Sequence, residues 1–463
     1  MALQTTTTIK TGELVIHNFS HLKIVQKIHA HHTFSFEIGQ ELLETKFQSN
    51  VPASRNLKGQ RISIEIKAIP ELDDVMLIED KNDYTLQFYG IIDKVRMRKS
   101  TLTDNEQVLV ITGHSETILL DNGADCNSFT GMTLEQIVNQ VKSRYGIDFH
   151  VRPFYKDIIP YTVQYNESDF DFLNRLSKLH AQWFYSNGRT IVLGTPSGFG
   201  ASPTLVYDVN MQDFIYDMKL VPALFKTIEN DNRTGESFID ETGKYGKEAN
   251  GFHQEYLSTS NQIFSKENVI QLNQNGIGGS GKSALREYTK NKMRSIMGDM
   301  MKIKVISEVP GVTLGNTVTI KGVDKQLETS YRITEITHTC DDSGGYENHF
   351  KAVNLSGAVY SPKTNPDLIP YSPSQSAIVV STDDPDGLSA VMVQMPWQKL
   401  KGTTTPYIPV LQQYGGSNKG SHWIPEIGET VYVEFQGGNA EMPIVTGSLT
   451  SIKEKSGYST PNN

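Results

Sequence analysis

A mainly β chain of the α+β kind is what this sequence predicts: two strand-rich blocks, a short helical insertion between them, and a small closed barrel at the end. Three observations carry that expectation. Period-2 segments dominate the first quarter, where HTFSFEIG, QRISIEIKAI, YTLQFYGIIDKVRMR and EQVLVITGHSETILL alternate apolar and polar residues between clusters of Asn, Asp, Gly and Pro. The texture then changes to helical spacing around residues 133–183 and returns to strands from about Pro203. After the Pro- and Ser-rich stretch SPKTNPDLIPYSPSQ, short strands recur at regular spacing in SAIVVSTDDPDGLSAVMVQMPW, YIPVLQQYGG, TVYVEFQGG and MPIVTGSL.

The helical elements have their own local reasons. In TGMTLEQIVNQVKSRYGI, Thr133 and Gln136 form a capping box, and Leu134, Ile137, Val138, Val141 and Tyr145 make one apolar face, with Gly146 placed as the stop. In YNESDFDFLNRLSKLHAQWF, Asn166 and Asp169 are the expected caps and Phe172, Leu176, Leu179 and Trp183 fall on one stripe. Its exit, WFYSNGRTIVL, reads as a hairpin with Asn187 and Gly188 in a type I′ turn. The strands of the second block, MMKIKVISEV, GNTVTIKG, SYRITEITHTC and YENHFKAVNLSG, follow a single further helix expected from Ser283 to about Met297.

Composition narrows the function classes. At 463 residues the chain exceeds one ordinary core and should split into about three or four domains. With 43 basic against 52 acidic residues and no basic block, nucleic acid is not an expected partner. The two cysteines, Cys126 and Cys340, have neither a C-x-x-C nor a zinc spacing, which suits a reducing compartment during folding. The start, MALQTTTTIKTGELVIHNF, lacks a basic segment followed by an apolar one, and no apolar run is long enough to span a bilayer. No secretion signal and no stable membrane anchoring are therefore expected.

The segments also carry a family resemblance. DDPDGLSAVMVQMPW followed by HWIPEIGETVYVEFQGGNAEMPIVTGSLT is similar to the OB-fold domain of VgrG spike proteins and of related spikes in phage tails and extracellular contractile injection systems. TLEQIVNQVKSRYGI and VQYNESDFDFLNRLSKLHAQWFYSNGRTIVLG resemble the helical part of that family's hub. GNTVTIKG and YRITEITHTCDDSGGYENHF resemble the closing strands of its second barrel, while HHTFSFEIG, LKGQRISIEI and LQFYGIIDKVRM resemble its first. The matches run in family order over nearly the whole chain. The resemblance implies residues 1–120 as a first hub barrel, 121–205 as the helical insertion with its hairpin, and 206–360 as a second hub barrel. Beyond them it implies 361–375 as a linker, 376–450 as an OB-fold spike base and 451–463 as a tail leading toward a needle.

What it implies for function is mechanical. Such hubs are homotrimers in which two similar barrels per chain make a pseudo-sixfold ring, adapting a sixfold tail tube to a threefold spike that supports delivery through a target envelope. The implied partners are a tail-tube ring, baseplate proteins, a needle or spike-tip protein and effector cargo. Assembly would take place in the bacterial cytoplasm, with export on firing. No enzyme activity, catalytic residue, metal or cofactor is implied, and cell-wall hydrolysis is not expected.

Several clusters suggest chemistry and have plainer readings. GIGGSGKS at 276–283 fits the phosphate-loop pattern at Gly276, Gly281, Lys282 and Ser283, and a nucleotide-binding enzyme is the alternative it raises. A phosphate loop also needs a parallel sheet and an acidic strand end, whereas the flanks read as antiparallel strands, so the plainer reading is a spacer with Ser280 or Ser283 capping a helix. His29, His31 and His32 suggest a metal, with 29 and 31 expected on one strand face. His338, Cys340, Asp341 and Asp342 read as a strand end. Glu167, Asp169 and Asp171 suggest paired carboxylates but read as a helix first turn, and Glu426, Glu429 and Glu434 read as a solvated face. A glycan-binding or glycan-degrading tail protein is the other alternative, with Trp397 and Trp423 as the tryptophans of that region.

Overall fold

The computed structural model describes residues 4–39, 55–69, 84–99, 107–197, 202–231, 233–246, 251–272, 281–354, 360–416, 419–452, 455 and 457. The first block supplies β1 (Thr5–Thr11), β2 (Leu14–Ile16), β3 (Ser20–Lys27), β4 (Thr33–Gly39), β5 (Arg61–Ala68), β6 (Thr85–Lys99) and β7 (Gln107–Ser115). The insertion follows as β8 (Asp125–Thr133), α1 (Leu134–Lys142), β9 (Phe149–Arg152), β10 (Ile158–Glu167), α2 (Asp169–Leu179), β11 (Trp183–Ser186) and β12 (Ile191–Gly194). Then come β13 (Thr204–Val206), β14 (Met211–Met218), β15 (Phe225–Asp231), β16 (Glu236–Glu241), α3 (Gly251–Ile263), β17 (Asn268–Leu272), α4 (Gly281–Met300), β18 (Met301–Ser307), β19 (Thr317–Lys321), β20 (Ser330–Cys340) and β21 (Tyr346–Asn354). The last domain holds β22 (Gln375–Ser381), β23 (Val391–Gln394), α5 (Pro396–Lys401), β24 (Tyr407–Ile408), β25 (Tyr414–Gly416), β26 (Lys419–Ser421), β27 (Thr430–Phe435) and β28 (Pro443–Ser448).

The mainly β class holds, with curled sheets and a C-terminal OB-fold. Its alternation is as the sequence reads: β4 buries Phe34, Phe36 and Ile38, and β5 buries Ile62, Ile64 and Ile66. Each strand-rich block builds a core. One gathers Ile9, Phe36, Phe88 and Ile111, and the other Ile303, Val318, Tyr331 and Ile336. The two cores are joined by one continuous sheet. One sheet of thirteen strands runs β14-β18-β21-β20-β3-β4-β7-β6-β5-β1-β2, with β19 and β13 branching from β20. The seam is β3 against β20, from Lys27 opposite Glu335 to Leu22 opposite Cys340, and Lys27 pairs with Glu335 at 2.8 Å. Cys340 and Tyr346, from the second block, are buried in the first block's core. Backbone hydrogen bonds and shared apolar burial therefore fasten the halves into one body.

Local structure corrects several details. The capping box at Thr133 and Gln136 forms, and Leu134, Ile137, Val138 and Val141 are buried as expected. The helix, however, ends at Lys142 with Ser143 as its cap, so Gly146 is not the stop. Ser168 rather than Asn166 or Asp169 caps α2, accepting from the Asp171 N–H, while Asn166 turns the chain at φ 51°. The β11–β12 connection is not a type I′ turn: only Gly188 has positive φ, and the Asn187 side chain accepts from the N–H groups of Arg189 and Thr190. The helix expected from Ser283 begins at Gly281 and reaches Met300.

Two larger features differ from the sequence reading. β15 pairs parallel with β17 and antiparallel with β16, with α3 as the crossover, where only antiparallel strands were expected. The stretch read as a linker is strapped down in the part described. Ser361 N–H donates to the Ala181 carbonyl, Asn365 N–H to the Lys178 carbonyl, and Tyr288 Oη to Asp367 at 2.5 Å. Arg294 lies over the Tyr360 ring at 3.2 Å. A side chain at Gly298 would come within 2.8 Å of Pro362, so α4 and the strap are in close backbone contact.

Candidate functional site

The place where chemistry-bearing side chains converge is the joint between the helical insertion and the C-terminal barrel. That barrel is a five-stranded sheet, β24-β23-β22-β27-β28, closed by a bridge between Val410 and Val445 around Val379, Val391, Val431 and Val433. Its turn before β28 carries Glu441, and its short helix α5 carries Trp397, Gln398 and Lys401. Facing it, β8 and β10 pair over Asp125 to Thr133 and present Tyr161 and Val163, which pack with Ala440.

At the centre is Arg175 of α2, only 6% exposed. Its Nε and Nη2 donate to Glu167 Oε1 and Oε2 at 2.8 and 2.9 Å, and Nη2 donates also to the Val163 carbonyl at 2.6 Å. Nη1 donates to Glu441 Oε1 at 3.2 Å. That same Glu441 oxygen accepts from Thr162 Oγ1 at 2.5 Å and Val163 N–H at 3.2 Å. Burial works against the arginine's charge, but Glu441 first and Glu167 after it hold its pKa above the ordinary value. A bidentate fork plus two further acceptors meets four of the five N–H donors of this buried guanidinium.

A rim of polar contacts surrounds the clasp. Ser128 Oγ donates to Thr403 Oγ1 at 3.0 Å, Gln398 Nε2 donates to Ser128 Oγ at 3.2 Å, and Lys401 Nζ donates to Asp125 Oδ2 at 2.8 Å. Burial would raise the Asp125 pKa, but Lys401 and the Cys126 N–H hold it below the usual carboxylate range. Asp169 is tied in turn to Arg144 at 3.0 Å, Tyr145 Oη at 2.6 Å and Gln164 Nε2 at 2.9 Å. Every one of these carboxylates is held by fixed donors.

The sequence-selected clusters disperse. Glu167 ends β10 and grips Arg175, Asp169 lies in the network just described, and Asp171 accepts from Ser168, so the three do not form an acid–base pair. The histidines are not on a strand face: His29 turns between β3 and β4 at φ 60°, bonding Asn174 at 2.9 Å and Ser361 at 2.8 Å. His31 stacks on Phe170 at 3.7 Å, and His32 reaches Gln26 and the Lys27 carbonyl. Burial lowers the pKa of His29 and His32 to about 3. His338 and Cys340 do share the buried face of β20. His338 meets Tyr346 Oη at 2.7 Å and Gln26 at 3.1 Å, while Asp341 accepts from the Ser343 and Gly345 N–H groups in the next turn. Among the described residues no group of three or more His, Cys, Asp or Glu is arranged to hold a metal.

Of GIGGSGKS, residues 276–280 lie outside the described residues; Lys282 and Ser283 are exposed on the first turn of α4. Glu426, Glu429 and Glu434 are exposed, as expected of a solvated face. Trp397 is turned inward against Tyr165, with ring centroids 6.3 Å apart, whereas Trp423 is 76% exposed, so the two make no shared platform for a sugar. The Arg175 clasp itself was missed. Its partner Glu441 is 266 residues away, and nothing in a helix reading marks Arg175 as buried.

Comparisons with known proteins point one way. Residues 33–344 match the family described as phage tail baseplate hub (GPD), and residues 375–449 match the type VI secretion system/phage-baseplate injector OB domain. The type VI secretion system spike protein VgrG1a of Pseudomonas aeruginosa is 21% identical over 383 residues, 74% of this chain and 57% of that protein. VgrG3 of Vibrio cholerae is 30% identical over 80 residues, 17% of this chain and 8% of that one. The chain spans about half the length of the curated relatives it matches. In fold it is similar to the E. coli c3393 protein, a type VI secretion component, with TM-score 0.58 at 13% identity over 95% of this chain and 99% of that one. It is similar also to a chain of the half-lidded Francisella PdpA–VgrG complex, with TM-score 0.56 at 10% identity over 99% of this chain and 79% of that one. These relatives are structural spike and hub proteins, and they support neither a nucleotide-driven enzyme nor a glycan-degrading one.

Proposed function

The chain belongs to the phage tail baseplate hub family, and from that premise we propose that it is the hub and spike base of a contractile injection apparatus. It works as a homotrimer in which the two fused cores of each chain present six similar units to a sixfold tail tube, and three OB domains form the threefold base beneath. The observation that carries this reading is the construction of one body. A thirteen-stranded sheet crosses both cores, and the buried Arg175 clasp fixes the OB domain to the insertion. A part that transmits axial load between a tube and a spike needs joints of that kind.

The working divisions are those read from the sequence: residues 1–120 and 206–360 as the two hub units, 121–205 as the insertion, and 376–450 as the spike base, followed by 451–463. Residues 361–375 connect hub and base, and the strap contacts of Ser361 and Asp367 make that connection firm. The tail-tube ring meets the hub units, baseplate proteins surround them, and a needle, spike-tip protein or cargo meets the OB end. The PdpA–VgrG complex offers a precedent for a partner protein on a similar chain. Assembly takes place in the producing cell's cytoplasm and the hub leaves it on firing; no helix among the described residues is long and apolar enough to cross a membrane.

Deleting the chain from its producing cell and imaging purified particles by electron microscopy tests the reading. Loss of assembled tails, restored by the gene in trans, is expected. Particles of normal number and form in the deletion strain would sink it.

A further inference from the structure

The corner between β3 and β4 holds His29, His31 and His32, and His29 reaches across to the strap of residues 361–367. It is buried and meets three elements at once. Its backbone N–H donates to the Phe184 carbonyl of β11 at 2.7 Å, its ring Nδ1 meets Asn174 Oδ1 of α2 at 2.9 Å, and its ring Nε2 meets Ser361 Oγ of the strap at 2.8 Å. Asn174 Nδ2 donates back to the His29 carbonyl at 3.2 Å, so Asn174 Oδ1 is the acceptor and Nδ1 carries the imidazole proton. Nε2 therefore accepts from the Ser361 hydroxyl, and a second proton can go only there. It would turn away the hydroxyl hydrogen of a residue that is 1% exposed. The charges that face His29 are cations, Lys178 from α2 and Lys363 from the strap, while β11 offers the Phe184 ring and carbonyl. Asp171 of α2 acts instead on Lys178 and on His31, whose other charged neighbours are Asp121 and His114.

We infer that His29 is an acid-released pin: at neutral pH it fastens residues 361–367, on the path from hub to OB base, to the corner and the insertion, and acid lets that strap lift while both cores stay folded. The inference goes beyond the hub reading and holds for a single chain in any oligomeric state. With the strap down, burial first and Lys178 after it hold the pKa of His29 at about 3. With the strap lifted, Nε2 meets water and the ring titrates near its ordinary value of about 6.5. The pin is thus at full strength above that value and weakens as pH falls toward 3. From pH 7 to pH 5 the ratio of lifted to fastened strap rises about 25-fold. The release is local because residues 361–367 belong to none of the large apolar cores. Their other fastenings are chiefly polar: Ser361 and Asn365 N–H to the Ala181 and Lys178 carbonyls, and Tyr288 and Lys292 to Asp367.

Hydrogen exchange of the full chain, read by mass spectrometry and corrected for the intrinsic effect of pH, tests this on the Ser361 and Asn365 N–H groups. Their protection should fall about 25-fold between pH 7 and pH 5, and at both values a peptide of β18 should stay better protected than the strap. His29→Gln, which stays uncharged in acid, should remove the strap's fall. Lys363→Glu, at an exposed position, turns a facing cation into a carboxylate and should shrink the fall with the pin still in place. Strap protection that does not change with pH in the wild type, a fall of equal size in His29→Gln, or strap and β18 opening together with one protection factor would overturn the pin. None of these results touches the threefold hub, which the mass of the chain tests separately.

Discussion

Glu441→Ala should loosen the OB domain from the insertion, and its magnitude follows from the contacts of one oxygen. Glu441 Oε1 accepts from Arg175 Nη1, Thr162 Oγ1 and the Val163 N–H. Removing it leaves a 6%-exposed guanidinium with only Glu167 to balance it. Breaking a buried ion pair from one side costs about 3–5 kcal/mol. Because Glu167 keeps two hydrogen bonds to Arg175, the lower end applies, about 3 kcal/mol. Glu441→Gln keeps an acceptor oxygen and should cost about 1 kcal/mol. Fluorotryptophan labelling supplies the assay, since the three tryptophans report three places: Trp183 the second core, Trp397 the joint and Trp423 the solvent-exposed barrel surface. In a urea titration followed by fluorine NMR, the Trp397 transition of Glu441→Ala should move to lower urea while Trp183 stays in place. A double-mutant cycle with Arg175→Met should show a coupling of about 1.5 kcal/mol or more. Coupling below about 0.3 kcal/mol, or equal movement of the Trp183 and Trp397 transitions, would refute the clasp.

Other outcomes follow from the same structure. The buried histidines make the fold acid-sensitive: burial lowers His29, His32 and His338 to about 3. Their neutral forms therefore contribute stability that is present above the unfolded value near 6.5 and is lost as pH falls from there toward 3, about 2 kcal/mol per histidine by pH 5. Urea midpoints at pH 7 and 5 check this, and Gln26→Leu with His338→Leu should flatten the slope; a midpoint rising on acidification would contradict it. Gly315→Ala should destabilise the second core by several kcal/mol, because Gly315 has φ +78° and a Cβ would come within 2.1 Å of the Tyr185 hydroxyl. Thermal melting reads it, and an unchanged midpoint would count against the packing described. Magnesium-ATP should leave the melting curve of both wild type and Lys282→Ala unmoved; a stabilisation abolished by that substitution would revive the phosphate loop.

Local features were legible because they are written in neighbouring residues. The Thr133–Gln136 box, the buried faces of α1 and the alternation of β4 and β5 depend on spacings of two to four residues, and each formed as read. Turn chemistry was less secure: Asn187-Gly188 suits the tip of a two-residue turn, yet Asn187 N–H donates to the Thr190 carbonyl, so the tip is Gly188-Arg189 and the Asn187 side chain accepts from within the turn. What the sequence hid was long-range. The β3–β20 seam joins segments more than three hundred residues apart, the parallel β15–β17 pair depends on a crossover through α3, and the strap's polar residues look like any linker until Ser361 meets His29. Arg175 is hidden for the same reason, since a charged residue in an amphipathic helix reads as solvated until a partner such as Glu441 arrives from another domain.

The most direct test of the account is the mass of the chain in solution at micromolar concentration. Mass photometry should give a species of three times 51.7 kDa that survives dilution, as an obligate ring of fused hub units requires. A single species at 51.7 kDa would contradict the threefold hub on which the proposed function rests.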